Sequence, residues 1–206
     1  MTAGPIVHVV DDDHAILESI RFMLEPAGYA VRTYDSPLTL LDAVLPLEGC
    51  VLTDFRMPEM DGIELQERLA ASGIRLPVIV MTGHGDVSSA VRAMKAGAVD
   101  FLEKPFEDKD LFDAIEQAID SNRRALAADA QASVATRHLA TLTTREREVL
   151  DHVVTGKSNK EIAQILGISP RTIDVHRARI FHKLEAESLP DLVRLVMAAQ
   201  APGTSR

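Results

Sequence analysis

The stretch Ile6-Val7-His8-Val9-Val10-Asp11-Asp12-Asp13 joins a short apolar run to three carboxylates. Similar apolar runs follow at residues 50–53, 77–81 and 98–102, and a further strand-like stretch lies at residues 29–34. Segments with helical spacing separate these runs, which is typical of buried parallel strands in an α/β fold. We therefore predict that the first half of the chain forms a doubly wound, five-stranded parallel sheet.

Polar side chains follow the predicted strands where they end, and five of them stand out: Asp11, Asp12, Asp54, Thr82 and Lys104. Because the carboxyl ends of parallel strands share one edge of the sheet, we expect these groups to meet there. Crowded carboxylates repel unless a divalent cation joins them, and oxygen ligands suit Mg²⁺. A lysine and a hydroxyl beside that metal can hold a phosphoryl group. Taken alone, residues 11–13 would be better explained as a helix cap.

Helix signals dominate the second half of the chain. Thr143-x-x-Glu146 is a capping box, and two short helical stretches joined by Leu166-Gly167-Ile168-Ser169 form a helix-turn-helix unit with glycine in its turn. We therefore predict an all-α domain of four helices at residues 139–206, after a first domain at residues 1–120.

The segment between the two domains is predicted to be a helical linker at residues 121–138. Neither glycine nor proline occurs from Phe106 to Thr155, and the middle of this span is rich in alanine. A flexible linker would be rich in Gly or Ser. We expect the fifth helix to continue to at least about Ala132; a frayed, disordered tether is the alternative.

Charge is divided unevenly between the two halves. Residues 1–120 hold 9 Lys and Arg against 22 Asp and Glu, a net charge of −13, whereas residues 121–206 hold 13 against 9, a net charge of +4. This asymmetry suggests that the second half binds nucleic acid.

The chain has no apolar stretch near the roughly 18 residues that span a membrane, and its N-terminus lacks signal-sequence features. Its single cysteine, Cys50, cannot form an internal disulfide. We predict a cytoplasmic protein without a membrane partner.

The helix predicted for residues 171–184 has two faces. Ile173, Ile180 and Leu184 form one narrow stripe, so we expect them to face the core. The opposite face has a small centre and basic ends, which suits the major groove of DNA. Together with phosphate contacts at the start of the preceding helix, the candidate DNA-binding residues are Lys157, Asn159, Lys160, Arg171, Thr172, Asp174, Val175, Ala178, Arg179 and His182. Val175 could contact a thymine methyl group, and Asp174 could accept from cytosine N4. An ordinary amphipathic surface helix is the alternative.

Residues 5–120 resemble the receiver domain of bacterial response regulators. The resemblance includes the strand-end residues, Pro58 and Gly62 after the Asp54 loop, the Lys104-Pro105 pair, and Phe101 three residues before the lysine. The second half, with its Ser169-Pro-Arg-Thr-Ile173 run, is similar to LuxR/NarL-type helix-turn-helix domains. Residues 81–87, 93–108 and 169–178 resemble response regulators of the FixJ type in particular.

This resemblance implies a flavodoxin-like receiver in which Asp54 is the phosphoacceptor. Asp12, Asp54 and the backbone carbonyl of Arg56 would bind Mg²⁺ directly, and Asp11 would bind it through water. Lys104 would hold a phosphoryl oxygen, and a cis peptide bond to Pro105 would direct the lysine into the site.

The same resemblance implies a switch and a set of partners. The Thr82 hydroxyl would bond to the phosphoryl group, and Phe101 would rotate inward; a static Phe101 in the core is the alternative. A sensor histidine kinase would phosphorylate the receiver, which would dimerise through helix 4, strand 5 and helix 5. The second domains would then bind promoter DNA beside RNA polymerase and activate transcription. For a FixJ-type protein the kinase would be a FixL-like oxygen sensor.

Two other classes of function remain open at this point. A metal-dependent phosphatase could use the same acidic site, although Arg56, and not an acid, stands two residues after Asp54. A phosphorylation-independent nucleic-acid-binding adaptor is also possible, although the intact acidic site argues against it. We expect a non-enzymatic regulator that catalyses only its own phosphorylation and dephosphorylation.

Overall fold

The computed structural model describes residues 4–43, 48–83 and 87–200. The chain divides into two compact units, residues 1–125 and 126–206, and each is described separately below. Within the described ranges no helix is both long enough and apolar enough to cross a membrane.

The first unit is built on a sheet of five strands. They are β1 (Ile6–Val10), β2 (Ala30–Tyr34), β3 (Cys50–Asp54), β4 (Val78–Thr82) and β5 (Asp100–Glu103). Their order across the sheet is β2-β1-β3-β4-β5, and all neighbouring pairs are parallel. This order confirms the predicted doubly wound, flavodoxin-like sheet.

Five helices connect or follow these strands: α1 (His14–Leu24), α2 (Pro37–Leu41), α3 (Gly62–Ala71), α4 (Val87–Lys95) and α5 (Asp108–Ala140). The side chains of β1, β3 and β4 alternate between two apolar clusters, one on either side of the sheet. Val9 packs in the cluster that contains residues of α1 and α5, whereas Val10 packs in the cluster that contains residues of α3. The sheet is therefore covered on both faces, which leaves its carboxyl edge open for chemistry.

Helix α5 is continuous from Asp108 to Ala140 and belongs to both units. It continues past Ala132, as the lack of glycine and proline predicts. Near the end of the first unit its buried Asn122 accepts a hydrogen bond from the Gly49 backbone at 3.3 Å, and this bond fastens the helix beside the start of β3.

The second unit contains the end of α5 and four further helices. They are α6 (Thr144–Val153), α7 (Asn159–Leu166), α8 (Pro170–Lys183) and α9 (Leu189–Gln200), as the helix signals predict. The predicted capping box of Thr143 and Glu146 opens α6. Between α7 and α8 the turn begins at Gly167, whose φ of 68° lies in the left-handed region that favours glycine.

Candidate functional site

The strand-end residues lie at the carboxyl edge of the sheet, as predicted. Asp54 and Thr82 are the last residues of β3 and β4, while Asp11 and Lys104 directly follow β1 and β5. Asp11, Asp54 and Thr82 are all buried, with 2%, 9% and 7% of their surface exposed. The fold therefore gathers a carboxylate pair, a hydroxyl and an ammonium at one edge.

Lys104 connects two strand ends through its ammonium group. Its Nζ donates to Oδ1 of Asp54 at 2.6 Å and to Oδ2 of Asp11 at 2.7 Å. Its backbone N–H donates to the carbonyl oxygen of Thr82 at 2.7 Å. The bond between Lys104 and Pro105 is cis, as predicted.

Two carboxylates share the single ammonium of Lys104, and burial and hydrogen bonds shift the pKa values of Asp11 and Lys104. Burial raises the pKa of Asp11, and hydrogen bonds from Lys104 and the Asp13 backbone offset that rise only in part. Burial alone would lower the pKa of Lys104, but its hydrogen bonds to Asp11 and Asp54 outweigh burial and raise the pKa. The ammonium is therefore held in its charged form.

Backbone groups hold the two carboxylates in place. The Arg56 N–H donates to Oδ2 of Asp54 at 2.6 Å, and the Asp13 N–H donates to Oδ1 of Asp11 at 2.9 Å. The Arg56 side chain itself is exposed. Each buried carboxylate thus has one oxygen on the lysine and one on a backbone amide.

Of the three predicted carboxylates, Asp11 and Asp54 meet at Lys104, whereas Asp12 is exposed. Among the residues that the structure describes, no three His, Cys, Asp or Glu side chains lie close enough together to hold a metal ion. The oxygen donors of this edge nevertheless match the ligand chemistry of Mg²⁺, which binds through one or two carboxylates and keeps several waters.

Phe101 does not lie in the core, since 37% of its surface is exposed. It stands on β5 opposite Val80 of β4, next to buried Leu102. With Pro105 and Phe106 it lines an open surface pocket of about 550 Å³. Its position leaves it free of the tight packing that would hold a static core residue.

Helix α8 divides into the two predicted faces. Ile173, Ile180 and Leu184 are buried, with exposures of 0%, 1% and 2%. All the candidate DNA-binding residues of this helix are exposed: Arg171, Thr172, Asp174, Val175, Ala178, Arg179 and His182. A polar and basic surface therefore stands opposite an apolar stripe.

The candidate residues ahead of α8 differ in their surroundings. Lys160 is exposed, whereas Lys157 and Asn159 are half-buried. The Asn159 side-chain amide donates to Oδ1 of Asp174, so two residues predicted to contact DNA separately are hydrogen-bonded to each other. Lys157 donates to the Thr155 hydroxyl at 3.2 Å.

Sequence reasoning missed an ion pair between α6 and α8. Lys183 donates to the buried Glu146 at 2.7 Å, although sequence patterns assigned Glu146 only to the capping box. The two residues are 37 positions apart, and no local pattern links them.

Comparison with known families agrees with both units. Residues 7–116 match the response regulator receiver domain, and residues 140–196 match the bacterial regulatory proteins of the luxR family. The chain belongs to the two-component response regulators. Over 195 residues, which are 94% of this chain and 92% of the relative, it is 50% identical to the transcriptional regulatory protein FixJ of Azorhizobium caulinodans. It is 48% identical to FixJ of Bradyrhizobium diazoefficiens over 97% of this chain and 98% of that one.

Solved structures give the same assignment for this response regulator. The response regulator StyR matches with a TM-score of 0.80 and 45% identity, covering 95% of this chain and 99% of that one. Full-length FixJ from B. japonicum matches with a TM-score of 0.61 and 47% identity, covering 97% and 98%. The chain is thus a FixJ-like regulator with a receiver and a LuxR-type DNA-binding domain.

Proposed function

We propose that this response regulator accepts a phosphoryl group on Asp54 from a sensor histidine kinase, and that the modification controls its binding to promoter DNA. One observation carries the proposal: the Lys104 ammonium lies within hydrogen-bond distance of both Asp54 and Asp11. A phosphoryl-transfer site needs a cation beside its nucleophile, and Lys104 places one beside Asp54.

In the proposed step, a carboxylate oxygen of Asp54 attacks the phosphorus of the kinase's phosphohistidine. The new P–O bond forms as the P–N bond breaks, and the imidazole leaves with the electron pair and takes a proton from solvent. Lys104 binds one equatorial phosphoryl oxygen as a point charge. The Arg56 N–H holds the second oxygen of Asp54 and so fixes the direction of attack.

Mg²⁺ is part of this proposal. Asp12, Asp54 and the Arg56 carbonyl would bind it directly, and Asp11 would bind it through water. When bound, the metal would neutralise the oxygens of the transferring phosphoryl group. Two carboxylates on one ammonium leave a net negative charge at this edge, and the exposed Asp12 adds to it, which supports a cation there.

We propose that phosphorylation then acts through Thr82 and Phe101. The Thr82 hydroxyl would bond to the phosphoryl group and draw its loop inward, and the partly exposed Phe101 would rotate into the space created. The receiver would dimerise through α4, β5 and α5. Val91, Met94 and Phe101 support this surface, since 45%, 48% and 37% of these apolar residues are exposed.

The proposed DNA contacts are the exposed residues of α8 and the start of α7. Lys157, Lys160 and Arg171 would bind phosphates with Asn159 and Arg179, while Val175 and Asp174 would face base edges beside Thr172, Ala178 and His182. The domain boundaries at residues 1–120, 121–138 and 139–206 belong to the same proposal.

The relatives named FixJ support a finer assignment of partners. We propose a FixL-like oxygen-sensing kinase as the phosphodonor, RNA polymerase as a partner at the promoter, and activation as the outcome. The protein would act in the cytoplasm, where promoter DNA lies. Its own chemistry would be limited to its phosphorylation and dephosphorylation, because Arg56 stands where a phosphatase would have a general acid.

A gel shift with and without acetyl phosphate tests the proposal. The probe is a duplex enriched from a random pool by the phosphodonor-treated chain. Acetyl phosphate should strengthen binding, and excess chelator should abolish the gain. Equal binding in all conditions would indicate a phosphorylation-independent adaptor, whereas rapid hydrolysis of unrelated phosphomonoesters would indicate an enzyme.

A further inference from the structure

The first turn of α6 holds the C-terminal ends of both helices of the helix-turn-helix unit. Arg145 donates from Nη2 to the carbonyl oxygen of Leu166, the last residue of α7, at 2.7 Å. Glu146 accepts from Nζ of Lys183, the last residue of α8, at 2.7 Å. Two neighbouring side chains of α6 thus hold the C-terminal ends of α7 and α8.

Glu146 is well suited to act as a fixed anchor. Its side chain is 3% exposed, and the same Oε2 accepts from the Thr143 N–H at 2.9 Å and from the Thr143 hydroxyl at 3.0 Å. The hydrogen bond from Lys183, with the capping bonds from Thr143, lowers its pKa to about 2. Lys183 is held a second time, by the carbonyl oxygen of Thr141 at 3.1 Å.

The length of α8 makes the contact between Glu146 and Lys183 important for recognition. Arg171 lies roughly 18 Å along the helix from Lys183, by the usual rise per residue. A small pivot at Lys183 is therefore enlarged at Arg171 and Val175. Base-edge hydrogen bonds tolerate only a few tenths of an ångström of misplacement, whereas the attraction of phosphates for nearby cations is not directional.

We propose that Glu146 and Lys183 are positioning residues for DNA recognition: their ion pair sets the angle at which α8 meets the base edges, and neither residue needs to touch DNA. This inference rests on the proposed DNA contacts of α8. It assigns Lys183 a role different from that of Lys160, because the charge of Lys183 is already neutralised by a buried partner.

Glu146→Gln and Lys183→Met change the charge of the chain in opposite directions, and this difference makes the test sharp. Both should lower the ratio of specific to random-duplex affinity by about tenfold or more, because both release the end of α8. Neither should lower the salt slope for the random duplex. Lys183→Arg, which can keep the pair, should retain most of the wild-type ratio.

The matched control is Lys160→Met, which removes an exposed lysine from the proposed phosphate contacts. It should weaken binding to both duplexes alike and lower the salt slope by about one. The probes are the duplex enriched by the phosphodonor-treated wild-type chain and a scrambled duplex of the same composition. Thermal melts establish a temperature at which every variant is folded.

Two results would overturn the inference. In the first, Lys183→Met weakens binding to both duplexes alike and lowers the salt slope, as Lys160→Met does, while Glu146→Gln binds random DNA more tightly. Lys183 would then be a direct phosphate contact. Both variants could keep the wild-type ratio while folded, and the pair would then serve stability alone. If Glu146→Gln fails to fold, Lys183→Met, which keeps both Thr143 bonds of Glu146, decides by itself. A wild-type chain that enriches no sequence would contradict the proposed DNA contacts instead.

Discussion

The ammonium of Lys104 lies 2.6 Å from Oδ1 of Asp54, across 50 residues of sequence, and it also reaches Asp11. One cation therefore holds the ends of β1 and β3 together from the end of β5. The arrangement places a positive charge beside the proposed nucleophile, and it leaves the site one negative charge in excess. Both consequences can be measured.

Asp54→Asn should abolish labelling by acetyl phosphate and leave the fold intact, because it removes the attacking carboxylate and keeps the side-chain shape. Intact-protein mass spectrometry after incubation with Mg²⁺ and acetyl phosphate gives the measurement. Asp42→Asn, which changes an exposed carboxylate just after α2, is the control and should label normally. Stoichiometric acid-labile labelling of Asp54→Asn would rule out Asp54 as the acceptor.

Lys104→Met should destabilise the receiver by about 1–3 kcal/mol, because two buried carboxylates lose their common cation while the open edge still admits water. Added Mg²⁺ should restore more stability to this variant than to the wild type, since a divalent cation can take over the neutralisation. Urea unfolding with and without Mg²⁺ measures both effects. Lys109→Met, which removes an exposed lysine of α5, should show neither the loss of stability nor the larger response to Mg²⁺. An equal response to Mg²⁺ in Lys104→Met and in the wild type would contradict a metal site at this edge.

Gly62→Ala should distort the loop after Asp54. A β-carbon at Gly62 would lie 2.5 Å from the backbone oxygen of Asp54 and 3.1 Å from Cγ2 of Thr53. Such overpacking of a buried turn should lower the free energy of unfolding by about 1–3 kcal/mol and slow phosphorylation. Gly83→Ala is the matched control, since a β-carbon there meets nothing within 4 Å. Its free energy of unfolding should stay within about 0.5 kcal/mol of the wild type, and similar losses in both variants would refute the steric argument.

Much of this site could be predicted from the sequence because its positions follow from local patterns. Each apolar run ends at a polar residue, and a parallel sheet brings such ends together whatever the loops do. The stripe of Ile173, Ile180 and Leu184 is likewise a property of one helix. These features need only the periodicity of a single element.

Other features depend on how separate elements pack, and no local pattern encodes them. The Lys104 bond to Asp11 joins residues 93 positions apart, and the ion pair of Lys183 and Glu146 joins residues 37 apart. Asp12 follows the same strand as Asp11 but is exposed, and the alternation of β1, which ends at Val10, does not decide this. The exposure of Phe101 depends on which neighbours cover β5, and the periodicity of so short a strand does not decide this.

The stability of the second unit should depend on pH through Glu146. Its pKa falls from an ordinary 4.5 to about 2 in the folded state, mainly through the Lys183 hydrogen bond. A lowered folded pKa stabilises the fold above the unfolded pKa, and the contribution disappears as the pH falls towards the folded pKa. The melting temperature of wild type should therefore exceed that of Glu146→Gln near neutral pH, and the two should converge between about pH 4.5 and pH 2. A constant difference over that range would show that the charge of Glu146 is not the cause.

Substitutions on and before α8 should separate affinity from sequence preference. Lys160→Ala and Arg171→Ala should weaken binding to all DNA and lower the salt slope, because each loses a phosphate contact. Substitutions of Val175 or Asp174 should change the preferred sequence, at a cost on the order of 1–3 kcal/mol for each lost base contact. Asn159→Ala should weaken binding to all DNA because it loses a phosphate contact, and it should also change the preferred sequence because Asp174 loses the hydrogen bond that Asn159 donates.

The measurement for these variants is a salt titration of each on specific and random duplexes, with half-sites set about one helical turn apart as a dimer requires. Val175 is the decisive position, since 45% of its surface is exposed although it is apolar, and a thymine methyl group would cover it. If Val175 substitutions leave the preference between sequences untouched while Arg171 substitutions alter it, the helix enters the groove in the opposite orientation. Equal effects of all these variants on both duplexes would instead mean that α8 makes no base contact.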